Sequence, residues 1–213
     1  MIATAPVPAP VPVGPEPHKF RTILLFGAPG SGKGTTGKAL GAIPGFVHCA
    51  CGDVFRTLDL TSPLGRVFVE YSSKGLLVPD DTTVALWKQS IDGLVAARRF
   101  QPERDLLVLD GIPRNLEQAR ILDDYIHVER VFHLECSDER MMFDRLRRRA
   151  LKENRLDDAS DEVIRRRWGV YEAESRPVLA HYPDPLIERI DALGSPVQVL
   201  YEVLGRLMMA SLA

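Results

Sequence analysis

Residues 27–35 read Gly-Ala-Pro-Gly-Ser-Gly-Lys-Gly-Thr and directly follow the apolar run Thr22-Ile23-Leu24-Leu25-Phe26. A buried strand entering a glycine-rich turn that ends in Gly32-Lys33 is the sequence form of a phosphate-cradling loop. Gly27, Gly30, Gly32 and Gly34 are expected to supply positive φ angles and to let a polyphosphate approach without meeting a Cβ. The amides that follow open a helix, whose N-terminus favours anions. Lys33 adds a full positive charge for β- and γ-phosphates, and the Thr35 hydroxyl can join a magnesium shell. The usual pattern places Ser or Thr straight after the lysine, whereas Gly34 intervenes here. These residues point to a bound nucleoside triphosphate.

A second set lies further along. Asp110 closes the apolar run Leu106-Leu107-Val108-Leu109, where a carboxylate can hold magnesium-bound water beside the Lys33 loop. Asp110-Gly111-Ile112-Pro113-Arg114, with Gln118 one helical turn on, sets a guanidinium at the sheet edge. That planar fork suits a phosphate better than an ammonium does. Upstream, Cys51-Gly52-Asp53 followed by Arg56 offers another arginine close to a strand end.

These residues need a scaffold, and its elements are readable. Helical spacing runs from Lys33 to about Ile43, followed by a short strand at Phe46–His48 and a turn at Gly52-Asp53. Helices are predicted over Pro63–Lys74, Asp80–Arg98, Leu116–Tyr125, Ser137–Ala150, Asp161–His181 and Val197–Met209. Further strands are predicted at Leu106–Leu109, Val131–Leu134 and Leu186–Ile190. Strands alternating with helices imply an α/β fold, a parallel sheet with helices on both faces and a site at the strands' carboxyl ends.

The whole chain narrows the partners. Its 213 residues, 45% hydrophobic and 26% charged, suit one domain with a substantial core. A net charge of −2 excludes a global basic field for nucleic acid, and the arginines cluster locally at Arg145, Arg147, Arg148, Arg149 and Arg155. No apolar run has the roughly 20 residues needed to cross a membrane. Three cysteines argue for a reducing compartment, so a cytoplasmic location is expected. Residues 1–17 hold six of the sixteen prolines, interleaved with Ala and Val. Residues 1–19 are therefore expected to be a solvated arm, and 20–213 a single domain.

Five motifs now stand in one order: the glycine loop, Gly-Asp-x-x-Arg, Lys-Gly-Leu-Leu-Val-Pro-Asp, Asp-Gly-Ile-Pro-Arg-x-x-x-Gln and Arg-Leu-Asp-Asp. Over about residues 20–205 the chain resembles the adenylate kinases, within the wider nucleoside monophosphate kinase family, and Gly34 matches that family's own variant of the loop. The resemblance implies a P-loop NTPase-type parallel sheet. It also implies a small helical monophosphate-binding segment at about 49–78, a short lid at about 149–160, and reversible phosphoryl transfer, MgATP + AMP ⇌ 2 ADP. Lys33 and the amides of Gly30, Ser31, Gly32, Gly34 and Thr35 would hold the ATP phosphates, with magnesium reached by Thr35 and, through water, by Asp110. Arg145 would stack on the ATP base and Arg149 would face its phosphates. Arg56, Gly111 and Arg114 would grip AMP, whose base would meet Cys51, Leu76, Leu77, Val78 and Gln118. Arg155 and Arg167 would close over both phosphate chains. A monomer is implied.

Only five residues separate Arg149 from Arg155, and no cysteine follows Cys136, so a short lid without structural zinc is expected. Asp157 and Asp158 are expected to hold the lid arginines. Arg147, Arg148, Arg165 and Arg166 have no matched role and read as a solvated helix face. Two residues keep an alternative open. Cys51 stands where the family usually has Thr, and Asn115 follows the arginine as in pyrimidine-monophosphate kinases. Gln118 favours AMP; a UMP or CMP kinase of the same fold is the alternative, and a non-catalytic nucleotide sensor a more distant one.

Overall fold

The computed structural model describes residues 19–153 and 160–210. The arm before Lys19 and residues 154–159 of the expected lid, with Arg155, Asp157 and Asp158, lie outside the described residues. Strand β1 (Phe20–Gly27) is flanked on both sides, in a parallel sheet of order β2-β3-β1-β4-β5. The other strands are β2 (Phe46–Ala50), β3 (Leu106–Asp110), β4 (Ile126–Glu135) and β5 (Ile187–Asp191). Every pairing is parallel.

Two cores follow from the period of two along β1. Leu24 and Phe26 face one layer, where they meet Leu107, Leu109, Trp87, Ile91, Ala119 and Leu122. Ile23 and Leu25 face the other, with Val108, Phe132, Leu40, Val199 and Val203. Burial on both faces is why β1 reads as an unbroken apolar run. The first layer carries α4 (Asp80–Ala96) and α5 (Leu116–Leu122), and the second carries α1 (Lys33–Leu40) and α8 (Pro196–Ala210). The expected sheet with helices on both faces is the observed one. Between β2 and α4 lie α2 (Cys51–Arg56) and α3 (Pro63–Ser73), and after β4 come α6 (Glu139–Glu153) and α7 (Asp161–Val170).

Three local departures have physical causes. The turn expected at Gly52-Asp53 is the helix α2, in which a Cβ on Gly52 would lie 3.1 Å from the Arg56 guanidinium. Strand β4 starts at Ile126, five residues before the predicted strand, and the preceding helix ends at Leu122. Residues 126–130 escape a search for apolar runs because β5 pairs only from Val131 onward, so this stretch alternates polar and apolar side chains. The helix expected over Asp161–His181 changes hand-hold twice, to a π-helical turn at Tyr171–Ser175 and a 3₁₀ turn at Arg176–His181. Pro177 has no N–H to donate and its ring obstructs the carbonyl four residues back, so an α-helical ladder cannot continue through it.

Candidate active site

The glycine loop leaves β1 at the point where the chain order reverses across the sheet, with β3 on one side and β4 on the other. Gly27, Gly30 and Gly32 have φ of 146°, 88° and 97°. A Cβ on Gly27 would sit 2.5 Å from both the Leu134 carbonyl and Ser31 Oγ, so the turn admits no side chain there. Gly34 departs from the expectation. It lies inside α1 without a positive φ, and a Cβ there would only touch Asp110 Oδ2, at 3.4 Å. Ser31 is 1% exposed and its hydroxyl has no partner, an orphaned polar atom in a loop shaped for oxyanions.

Lys33 folds back over its own loop. Its Nζ donates to the Gly27 carbonyl at 2.6 Å and to the Ala28 carbonyl at 3.0 Å. Removal from water pulls its pKa from 10.5 down to about 8; Asp110 partly offsets this, while Arg114, Arg149 and Arg167 add repulsion. Asp110, at the end of β3, stands 4.0 Å from His48 Nε2 on the neighbouring strand. Burial lowers the His48 pKa, with Asp110 the main opposing influence, so this ring is neutral at physiological pH.

After β3 the chain turns through Gly111, at φ 77°, and a cis Ile112–Pro113 peptide. Arg114 Nε donates to the Gly111 carbonyl at 2.9 Å, which fixes the base of the guanidinium. Asn115 caps α5, accepting from the Gln118 amide at 2.8 Å, and its Nδ2 donates to Asp80 Oδ1 at 2.8 Å. The Asn115 side chain is therefore employed in local structure. Gln118 is 1% exposed; its Oε1 accepts from Arg114 N at 2.8 Å and its Nε2 donates to Asp80 Oδ1 at 2.7 Å.

The remaining expected residues converge on the same space. A cavity of about 1180 Å³ is lined by Gly30 to Thr35, Cys51, Arg56, Leu76, Leu77, Val78, Asp110, Gly111, Arg114, Gln118, Arg145, Arg149 and Arg167. Arg56 is paired with Asp53 one turn back. Arg145 donates to the carbonyls of Ala192, Leu193 and Gly194 at 2.6, 3.1 and 3.2 Å, so its edge is pinned by the loop after β5. A guanidinium held by its edges keeps its face for stacking. Arg155 lies outside the described residues. Burial pushes the Cys49 and Cys51 thiols up to about 12 and 11, which keeps them protonated and disfavours metal ligation.

The sequence reading missed part of this wall. Arg140 and Arg148 line the cavity beside Asp144, and Arg148 was expected on a solvated face. Helical spacing could have found Arg148, which lies within one turn of Arg145, whereas Arg140 stands more than a turn before Arg145 and carried no such signal. Thr83, Tyr171 and Ser175 also line it. Tyr171, whose hydroxyl is 3.0 Å from His133 Nε2, enters through the π-helical turn, for which the sequence carries no signal.

Among the described residues the lining carries seven arginines and two lysines against four aspartates. A glycine loop after the first strand of a parallel sheet, opening on so cationic a cavity, defines a P-loop phosphotransferase. Comparison with known proteins narrows the class. The family model for adenylate kinase matches residues 25–186. A relative named adenylate kinase from Cyanothece sp. is 36% identical over 166 residues, 75% of this chain and 80% of that relative. Proteins of the same name from Mycolicibacterium smegmatis and Thermobifida fusca are each 35% identical, over 87% and 88% of this chain and 98% and 96% of their own lengths. The chain belongs to the adenylate kinase family. No helix among the described residues is long and apolar enough to cross a membrane.

Proposed function

We propose that the chain catalyses MgATP + AMP ⇌ 2 ADP and so balances the adenine nucleotides of the cytoplasm, acting as a monomer. One observation carries this reading: the phosphate loop and the Arg56–Arg114 pair line one continuous cavity, larger than the roughly 300–1,000 Å³ usual for a single ligand. Two nucleotides in one water-excluding space is what direct transfer requires.

On this reading Lys33 leaves the Gly27 and Ala28 carbonyls for the triphosphate, which the Gly30–Thr35 amides cradle. Arg145 stacks on the donor base, and Arg149 faces the donor phosphates. Residues 49–78 form the acceptor segment, where Arg56, Gly111 and Arg114 hold the AMP phosphate and Cys51, Leu76, Leu77, Val78 and Gln118 receive the base. Arg155, from a lid at about 149–160, and Arg167, from α7, close over both phosphate chains. The oxygen donors of Asp110 and Thr35 fit Mg²⁺, directly or through water. When bound, the ion would neutralise part of the negative charge of the phosphates. No acid–base group is needed, because positioning and electrostatic stabilisation supply most of the rate.

A coupled assay with MgATP and AMP, UMP, CMP, GMP or dAMP in parallel tests this. Rapid ADP formation with AMP is expected. A preference for UMP or CMP would mean that Cys51 outweighs Gln118, and transfer to no monophosphate would overturn the enzyme reading.

A further inference from the structure

We propose that Asp80, which stands behind the cavity wall, locks the Gln118 amide in one orientation and thereby sets the base selectivity of the acceptor pocket. The inference rests on the acceptor site proposed above and deepens it.

Asp80 opens α4, directly after the Leu76–Val78 stretch that lines the cavity. It does not line the cavity itself. Its Oδ1 accepts from Gln118 Nε2 and from Asn115 Nδ2. An ionised carboxylate can only accept, and the Arg114 N–H on the other side of the Gln118 amide can only donate. Exchanging the oxygen and nitrogen of Gln118 would set oxygen against carboxylate and N–H against N–H. The amide is therefore held in one sense from both ends. Arg114 N belongs to the backbone, so Asp80 is the end that a side-chain change can release.

After these bonds Gln118 retains one N–H and one oxygen lone pair to offer the cavity it lines. A base edge with a donor beside an acceptor, in one fixed order, satisfies both. Adenine offers such an edge through its amino group and N1. Hypoxanthine has nearly the same outline with the order reversed, a carbonyl beside N1–H. An amide free to turn pairs with either base, whereas a locked amide pairs with one and leaves buried polar groups unpaired with the other. Asp80 is thus a positioning residue, acting on the base only through Gln118.

AMP and IMP should be titrated calorimetrically into the full chain, and kcat and KM measured for both with MgATP. Asp80→Ser suits the first turn of a helix but is too short to reach Gln118; Asp80→Ala makes the same change without a hydroxyl. Asp80→Asn keeps an acceptor oxygen, and Asp81→Ala removes the neighbouring first-turn charge without touching Gln118. Asp80→Ser and Asp80→Ala are expected to weaken AMP binding about tenfold and to shrink the AMP-over-IMP ratio about tenfold, with ATP KM held within about twofold. Asp80→Asn should return the ratio to within about threefold of the natural chain, and Asp81→Ala should match that chain. An unchanged ratio in folded Asp80→Ser, or parallel losses for AMP, IMP and ATP, overturns the proposal. Asp80-dependent discrimination by a chain that transfers no phosphate would sustain the proposal and overturn the enzymatic reading instead.

Discussion

Binding of ATP at pH 8 should draw a proton from solution, and Lys33 should be its destination. The pKa of about 8 in the free protein means that half of the molecules carry a neutral Lys33 at pH 8 and about a tenth at pH 7. A triphosphate in the loop supplies negative charge that offsets both the burial and the repulsion of Arg114, Arg149 and Arg167, so the bound lysine should be fully protonated. Uptake should thus be about 0.5 proton at pH 8 and about 0.1 at pH 7. Titration of the magnesium complex of a non-hydrolysable ATP analogue, in buffers of different ionisation enthalpy, reads this number as a slope. Affinity should fall as pH rises above 8, toward a limit of tenfold per unit. Stability runs the other way. A pKa of about 8 when folded against 10.5 when unfolded gives the unfolded chain more protons between those values, so stability rises with pH across that window. The full shift corresponds to about 3 kcal/mol, an upper bound for a lysine that keeps some contact with solvent. A slope near zero at pH 8, or the same slope in Lys33→Met, would refute the reasoning.

Arg114→Ala should keep the fold, checked by circular dichroism, and lose about ten- to several-hundred-fold in kcat/KM, since a charge-assisted contact contributes roughly 1.5–3 kcal/mol; Arg155→Ala should do the same, and near-natural kcat/KM in either would remove that residue from the site. Arg145→Ala should raise ATP KM about tenfold while AMP KM stays within about twofold, because Arg145 sits against the 192–194 loop, away from the Arg114 end of the cavity. Gly65→Ala should destabilise the chain by about 1–3 kcal/mol in a urea titration, because a Cβ there would meet the Asp59 carbonyl at 2.1 Å and Leu60 Cα at 2.6 Å. Trp87→Ala should cost about 3–5 kcal/mol in the same titration. Trp87→Phe should cost clearly less, since the buried indole N–H has no partner to lose.

The legible parts of this chain were those whose physics is local. Strand β1 and its loop could be read because the reason for each residue lies within ten positions: burial on both faces, then a backbone that tolerates no Cβ at Gly27. Arg114 and Gln118 were legible as a helical turn beside a strand end. Asp80 was not, because its partners Asn115 and Gln118 are 35 and 38 residues away and nothing in the helix that it opens betrays them. Asn115 shows the opposite failure. Its position beside Arg114 suggested pyrimidine recognition, whereas its side chain answers the ordinary demand of a helix N-terminus for an acceptor. The π-helical turn that brings in Tyr171 was hidden because its cause, Pro177, marks where an α-helix must fail but not how.

A cavity with nine cationic side chains and four carboxylates among its described lining must remain folded without its anions. The hydrogen bonds show how much of that tension is relieved. Lys33 rests on the Gly27 and Ala28 carbonyls, Arg114 on the Gly111 carbonyl, Arg145 on three carbonyls after β5, and Arg56 on Asp53. Most of these acceptors are backbone oxygens, which satisfy donors without cancelling charge. The charge at the loop is therefore left for an anion to meet, and at Lys33 the loss of water does more to lower the pKa than the repulsion of Arg114, Arg149 and Arg167. Arriving phosphates exchange partners with groups already held by the protein and partly withdrawn from water, so less reorganisation opposes binding or transfer. Carboxylate partners in these places would hold the resting site more tightly and weaken the response to substrate. Arg56 is the exception, and its Asp53 partner should make it the grip that moves furthest when the acceptor phosphate binds. Asp53→Asn should accordingly lower AMP KM or leave it unchanged, and a tenfold rise would show that the pair orients Arg56 for substrate rather than holding it back.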